Sequence, residues 1–223
     1  MDFVEYPDRD LLMLGVADRL AAQLGEALRR HERVSLTVPG GTTPGPVFDT
    51  LSGVALDWAR VHVVLNDERW VPEDHPRSNT ALLRQRLIQG HAAKARLIPL
   101  YAQFVTPEEA LDELAAGLIP HLPLTVALLG MGADMHTASL FPGADNLAPA
   151  LADGAPPLMA MRAPGAPEPR ITLTAPVLRA ALHVHLLISG PEKRAALERA
   201  RSLPPAEAPV AAILSEATVH WAE

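Results

Sequence analysis

Apolar positions along the chain follow two patterns, and their alternation predicts the architecture. Between Leu11 and Glu32 they recur at helical spacing, through Leu12, Val16, Leu20, Leu24 and Leu28, which predicts an amphipathic helix. Val34–Val38, Val61–Leu65 and Leu124–Gly130 are instead short stretches rich in Val and Leu, which predict buried strands. Between and after them the periodicity turns helical over Pro46–Leu51, Ser78–Ile88 and Thr106–Ile119. The second of these starts with a Ser or Asn cap; the third has Thr106 as N-cap, Pro107 at the first position and acids in the first turn. Arg96–Leu100, Leu158–Met161 and Arg170–Thr174 predict shorter strands. Ala175–Ala181 reads as helix, His183–Ser189 as strand, Pro191 to about Arg201 as helix, and Val210–Leu214 and Ala217–Ala222 as two closing strands.

Strands alternating with helices predict an α/β fold: a mostly parallel layered sheet with helices on both faces, as a single domain over residues 1–223. In such sheets ligands bind beyond the carboxyl ends of strands, where strand order reverses. The loops leaving Val34–Val38, Val61–Leu65, Leu124–Gly130 and His183–Ser189 are therefore expected on one edge.

Those loops carry the chemistry. The first, PGGTTPG (Pro39–Gly45), has glycines at 40 and 41 and hydroxyls at Thr42 and Thr43 before a helix, either a phosphate seat or a tight strand-to-helix turn. The second, from Asn66 to Asn79, sets Asp67, Glu68 and Arg69 directly at a buried strand's end. An acid and a guanidinium there suit sugar hydroxyls and phosphate, while Glu73, Asp74 and Arg77 read as a solvated face. The third leaves its strand through Gly130 and Gly132 and at once places Asp134, Met135 and His136. Read as the start of a helix, this stretch makes His136 a neutral, proton-accepting imidazole and Asp134 its orienting acid. The alternative is a helix terminus capped by Asp134 with His136 incidental. The fourth element pairs Arg170 with Lys193, one of only two lysines, set in a helix's first turn where a cation is explained by a facing anion. His62, His183 and His185 read as structural, and His31, His91 and His121 as surface residues.

Totals narrow the partners. With 26 acids against 19 lysines and arginines the formal charge is −7, which argues against nucleic acid and anionic membrane as partners. No cysteine is present, so thiolate metal sites and disulfides are excluded, and no second ligand stands at metal spacing from His136. The acidic start does not read as a signal peptide and no apolar run reaches membrane length, so a cytoplasmic protein is expected.

In order and over most of the chain, PGGTTP, DERWVPEDHPRSN, GMGADMHTASLFPG, RITLT and GPEK resemble the 6-phosphogluconolactonase family. The two middle motifs are long and specific. The resemblance implies the fold shared with glucosamine-6-phosphate deaminases. It also implies hydrolysis of 6-phospho-D-glucono-1,5-lactone to 6-phosphogluconate in the oxidative pentose phosphate pathway, without metal or cofactor. Its partner is then a small sugar-phosphate lactone, acted on by a monomer or weak homo-oligomer. By position, His136 matches the family's general base, and Asp67 a ligand for substrate hydroxyls or an orienting acid, with Asp134 supporting. Gly40, Gly41, Thr42 and Thr43 correspond to the phosphate turn, and Arg69, Arg170 and Lys193 to its cations.

Two rivals share parts of this pattern. A deaminase would resemble GHIAFNEPG at the third loop, where this chain has Leu140 and Phe141 in place of Asn–Glu. A silent sugar-phosphate sensor would keep the phosphate turn without the base. The chain departs from the lactonase pattern at Met135, where the family usually has glycine. A methionine there either avoids positive φ or accepts strain.

Overall fold

The computed structural model describes residues 1–223. In chain order its elements are β1 (Asp2–Glu5), α1 (Arg9–Leu28), β2 (Val34–Val38), α2 (Gly45–Ser52), β3 (Val61–Leu65) and β4 (Asp67–Arg69). They continue with α3 (Asn79–Arg86), β5 (Arg96–Ile98), α4 (Pro107–Leu118), β6 (Val126–Gly130), α5 (Leu147–Leu151) and β7 (Leu158–Met161). The last are β8 (Arg170–Leu173), α6 (Ala175–Arg179), β9 (His183–Ser189), α7 (Pro191–Ala200), α8 (Ala211–Leu214) and β10 (Ala217–Ala222). No helix is long and apolar enough to cross a membrane.

Seven strands form one parallel sheet in the order β1-β10-β9-β6-β2-β3-β5. Every residue of β2 and β3 is buried, because helices cover both faces of the sheet. The α1 stripe predicted from periodicity (Leu12, Val16, Leu20, Leu24, Leu28) is the buried one, and Asp8 caps the helix by accepting from the Leu11 N–H at 2.7 Å. The chain runs outward from β2 through β3 to β5, then returns to β6 on the other side of β2 and runs outward again through β9 and β10. Strand order therefore reverses between β2 and β6, and a crevice opens beyond their carboxyl ends.

A second, antiparallel sheet, β4-β8-β7, sits beside this crevice. Asn66 makes the transition between the sheets. Fully buried, its Oδ1 accepts from Thr37 Oγ1 at 2.7 Å, its Nδ2 donates to the Leu128 carbonyl at 2.9 Å, and its own carbonyl accepts from the Leu173 N–H at 2.8 Å. One side chain thus ties β2 to β6, while its backbone hands the chain to β4 and β8.

The sequence expectations need four corrections. Asp67–Arg69 is a strand rather than a loop, since its backbone pairs with β8 although its side chains are charged. Val210–Leu214 holds the short helix α8, not a strand; a brief buried apolar run has no period that separates the two. Asp2–Glu5 forms an edge strand that the acidic start concealed. Thr106 precedes α4 but makes no side-chain cap; Glu109 instead accepts from the Val105 N–H at 3.2 Å.

A polar chain crosses the interior between α1 and the end of the sheet. Tyr6 Oη lies 2.9 Å from His220 Nδ1, His220 Nε2 lies 3.0 Å from His185 Nδ1, and His185 Nε2 lies 2.7 Å from Gln23 Oε1. Every group is satisfied when each donor faces the next acceptor and both imidazoles are neutral. Burial, then His220 and Arg19, lowers His185 to about 3; burial, then Arg19, lowers His220 to about 4. In the unfolded chain imidazoles titrate near 6.5, so on acidification the unfolded state takes up these protons first. Stability is expected to be full above about pH 6.5 and to fall progressively below it. Urea midpoints across that range test this, and a midpoint unchanged down to about pH 5 refutes it.

Candidate active site

A cavity of about 290 Å³ fills the crevice at the strand-order reversal. Its walls are the turn after β2, the β3–β4 junction, the ends of β6 and β9, and the first turn of α7. Of the ten residues singled out in the sequence, eight line it: Gly40, Gly41, Thr43, Asp67, Arg69, His136, Arg170 and Lys193. Thr42 and Asp134 do not, though Asp134 contacts a residue that does.

The turn after β2 supplies donors. The backbone N–H groups of Gly40, Gly41, Thr42 and Thr43 make no hydrogen bond within the protein, and α2 begins immediately after them. Gly41 has φ +82°, the left-handed region that glycine enters without penalty. Gly40 is required for another reason: a Cβ on it would lie 2.2 Å from the Asn79 side chain. Asn79 belongs to a network that sequence reading missed. Fully buried Glu68 accepts from the backbone N–H groups of Arg69, Asn79 and Thr80 and from the Ser78 and Thr80 hydroxyls. The charged residue between the two noticed in the sequence therefore bolts β4 to the start of α3.

Cations gather opposite the turn. Arg170 and Asp67, whose side chains are 11% and 9% exposed, face each other with Nη1 3.5 Å from Oδ2. That Oδ2 also accepts from Ser139 Oγ at 2.5 Å, another buried polar residue the sequence left unmarked. The Nε–H groups of Arg69 and Arg170 are buried without a protein partner. Burial, then the Arg170 and Arg77 guanidiniums, pushes Arg69 below its ordinary value. This crowding of positive charge is what an anionic group in the cavity would relieve.

The third loop carries the imidazole, in a geometry different from the helix start expected. No helix begins at His136; α5 starts only at Leu147. Met135 has φ +67° and Ala138 φ +50°, and a right-handed helix cannot run through residues in the left-handed region. Met135 thus accepts the strain that glycine avoids, held by its N–H to the Gly132 carbonyl at 3.0 Å and its carbonyl to the Val210 N–H at 3.1 Å. His136 is consequently set by a carboxylate rather than by a helix dipole. Its Nδ1 lies 2.5 Å from Asp134 Oδ1, which also accepts the His136 backbone N–H at 3.2 Å. Burial raises the Asp134 carboxyl, but the charge and hydrogen bonds of His136 outweigh it and hold it below the usual carboxylate range. An ionised Asp134 keeps the proton on Nδ1 and leaves Nε2 as the acceptor. The ring stacks on Phe141 at 4.1 Å between centroids, and the Arg170 guanidinium lies 5.2 Å from the same aromatic ring.

The arrangement combines an oriented base, a nest of free N–H donors and three cations around one cavity, which suits proton transfer on a phosphorylated substrate. A sequence profile described as "Glucosamine-6-phosphate isomerases/6-phosphogluconolactonase" matches residues 7–221. A 6-phosphogluconolactonase of Mesorhizobium japonicum is 40% identical over 224 residues, covering 97% of this chain and 93% of that protein. One from Pseudomonas aeruginosa is 43% identical over 212 residues, covering 93% and 89%. Among solved structures, a 6-phosphogluconolactonase from Shewanella baltica superposes with a TM-score of 0.96 at 33% identity, covering 100% of this chain and 98% of that one. A monomeric glucosamine-6-phosphate deaminase shares the fold at a TM-score of 0.83 with 17% identity.

Proposed function

Because the chain belongs to the glucosamine-6-phosphate isomerase/6-phosphogluconolactonase family, we propose that it hydrolyses 6-phospho-D-glucono-1,5-lactone to 6-phospho-D-gluconate, a step of the oxidative pentose phosphate pathway, with His136 as base. The observation that carries this reading is His136, held by Asp134, on the wall of a cavity that the free N–H groups of the glycine turn and the cations Arg69, Arg170 and Lys193 also line. His136 Nε2 takes a proton from water as the water oxygen bonds to the lactone carbonyl carbon. The tetrahedral oxyanion collapses, the bond from that carbon to the ring oxygen breaks, and the imidazolium returns the proton to the departing oxygen. Phe141 and Asp134 both favour the transient imidazolium. Arg69 or a backbone N–H stabilises the oxyanion, and Asp67 holds substrate hydroxyls or orients the neighbouring cation.

Phosphate binding is assigned to the turn from Gly40 to Thr43 together with Arg170 and Lys193, remote from the reacting carbon, so that it positions the ester. Lys193→Ala is then expected to raise the KM for the lactone about ten- to a hundredfold, the worth of one charge-assisted contact, with kcat changed far less. Steady-state kinetics decide this, and an unaltered KM makes the lysine incidental. The decisive assay follows freshly generated lactone against its spontaneous decay; no acceleration overturns the reading. Against deamination, Leu140 is buried and Phe141 stacks on His136, so this stretch offers no carboxylate where a deaminase would place its Glu.

A further inference from the structure

A second cationic cluster lies at the amino ends of the strands, about a strand length, roughly 15 Å, from the cavity. His62 on β3 is paired in register with Ser35 on β2 and Arg96 on β5, which puts the three side chains on one face of the sheet. His121, closing the turn before β6, brings its Nδ1 to 3.1 Å from His62 Nδ1, with the ring centroids 4.5 Å apart. Ser35 holds that turn in place, its hydroxyl donating to the His121 carbonyl and accepting the Thr125 N–H. Arg33, just before β2, completes the group.

Neither Arg33 nor Arg96 takes part in any ion pair. The charged groups acting on His62 are His121, Arg96 and Arg33, and those acting on His121 are Arg33 and Arg96; no carboxylate is among them. Burial first, and then these cations, holds both imidazoles below their ordinary value. In a chain with more acids than bases, such a cluster lacks the counter-charge that surface arginines ordinarily find. Beside it, a cavity of about 240 Å³ is lined by His31, Arg33, Ser35, His121 and Thr125 among others, with His62 and Arg96 outside that lining. Facing imidazole nitrogens at this spacing could hold a transition metal, but two uncompensated guanidiniums repel a cation and attract an anion.

We propose that Arg33, Arg96, His62 and His121 form a binding site for a small phosphate-bearing anion, separate from the cavity that holds His136. The guanidiniums supply charge-assisted hydrogen bonds, and the imidazoles take up protons as the anion arrives. Binding is therefore tighter at about pH 6 than at about pH 8.

Calorimetric titration with inorganic pyrophosphate on the intact protein tests this, comparing wild type, Lys193→Ala and the double variant Arg33→Gln/Arg96→Gln. Wild type and Lys193→Ala should share a site that weakens at least about tenfold between those pH values. The double variant should lose that site, keep its lactone turnover, and melt no lower than wild type without anion, because like-charge repulsion has been removed. A His62→Gln/His121→Gln variant keeps both arginines and should retain the site at high pH while losing the pH dependence. Equal pyrophosphate binding in wild type and the double variant, or equal affinity at both pH values, overturns the assignment. Failure of the lactone assay alone leaves this test intact, since its readout is binding.

Discussion

His136→Asn is expected to lower lactone turnover by about 10²–10⁴-fold, the usual worth of a positioned general base. Asparagine still offers an amide N–H toward Asp134 Oδ1, which the imidazole Nδ1 approaches to 2.5 Å, so the loop has a partner to close on. What disappears is the Nε2 lone pair and with it any site for the proton in flight. The phosphate turn, Arg170 and Lys193 are untouched, so affinity for 6-phosphogluconate should stay within a few-fold by calorimetry. The pattern to look for is a collapse of kcat with product binding preserved. Unchanged turnover would remove His136 from the reaction and leave the sugar-phosphate sensor as the better description.

The second large effect is expected at a residue with no functional group. A Cβ on Gly132 would lie 2.2 Å from both Asp134 Oδ1 and His136 Nδ1, closer than real Cβ atoms approach any neighbour. The turn has little room to yield, because the Gly132 N–H donates to the His136 carbonyl at 2.9 Å and the Gly132 carbonyl accepts the Met135 N–H. Gly132→Ala must therefore move the carboxylate–imidazole pair off its position. A displacement of about 1 Å at a reacting group costs about 10²-fold, which is the loss of kcat anticipated here. The pair is partly exposed, so melting temperature and product affinity should change little. A fall in activity matched by a fall in stability would instead mark Gly132 as a folding residue. An alanine variant with full activity would show that the pair tolerates displacement.

These two residues also mark how far the sequence can be read. The central strands were legible because β2, β3 and β6 are short Val- and Leu-rich stretches bounded by turns, and the arrangement of loops on one edge follows from the parallel connection rule. Strand ends led to most of the cavity's polar residues. What stayed hidden depends on partners distant in sequence. Glu68 reads as one of three charges in a row, yet it is the buried hub, because its acceptors meet donors ten to twelve residues on. Ser139 is one small polar residue in an apolar stretch until the fold brings Asp67 beside it. The helix expected at His136 fails because Met135 and Ala138 adopt left-handed backbone angles, Met135 held in part by the distant Val210 N–H, which neither residue type announces. Glycine at 135 would have signalled the turn, and methionine concealed it.

The pairing of β1 with β10 bears on how the molecule is made. Asp2 aligns with Thr218 and Glu5 with Trp221, and β1 has no other neighbour in the sheet. During synthesis β1 therefore leaves the ribosome long before β10, the strand that pairs its backbone. Contacts of such long sequence separation form slowly, and unpaired strands are exposed to wrong partners in the interval. The brevity of β1 and its acids at Asp2 and Glu5 suit that wait, since a short charged strand is a poor template for aggregation. The edge strand overlooked in the sequence behind its flanking acids is thus built to remain soluble until its neighbour arrives.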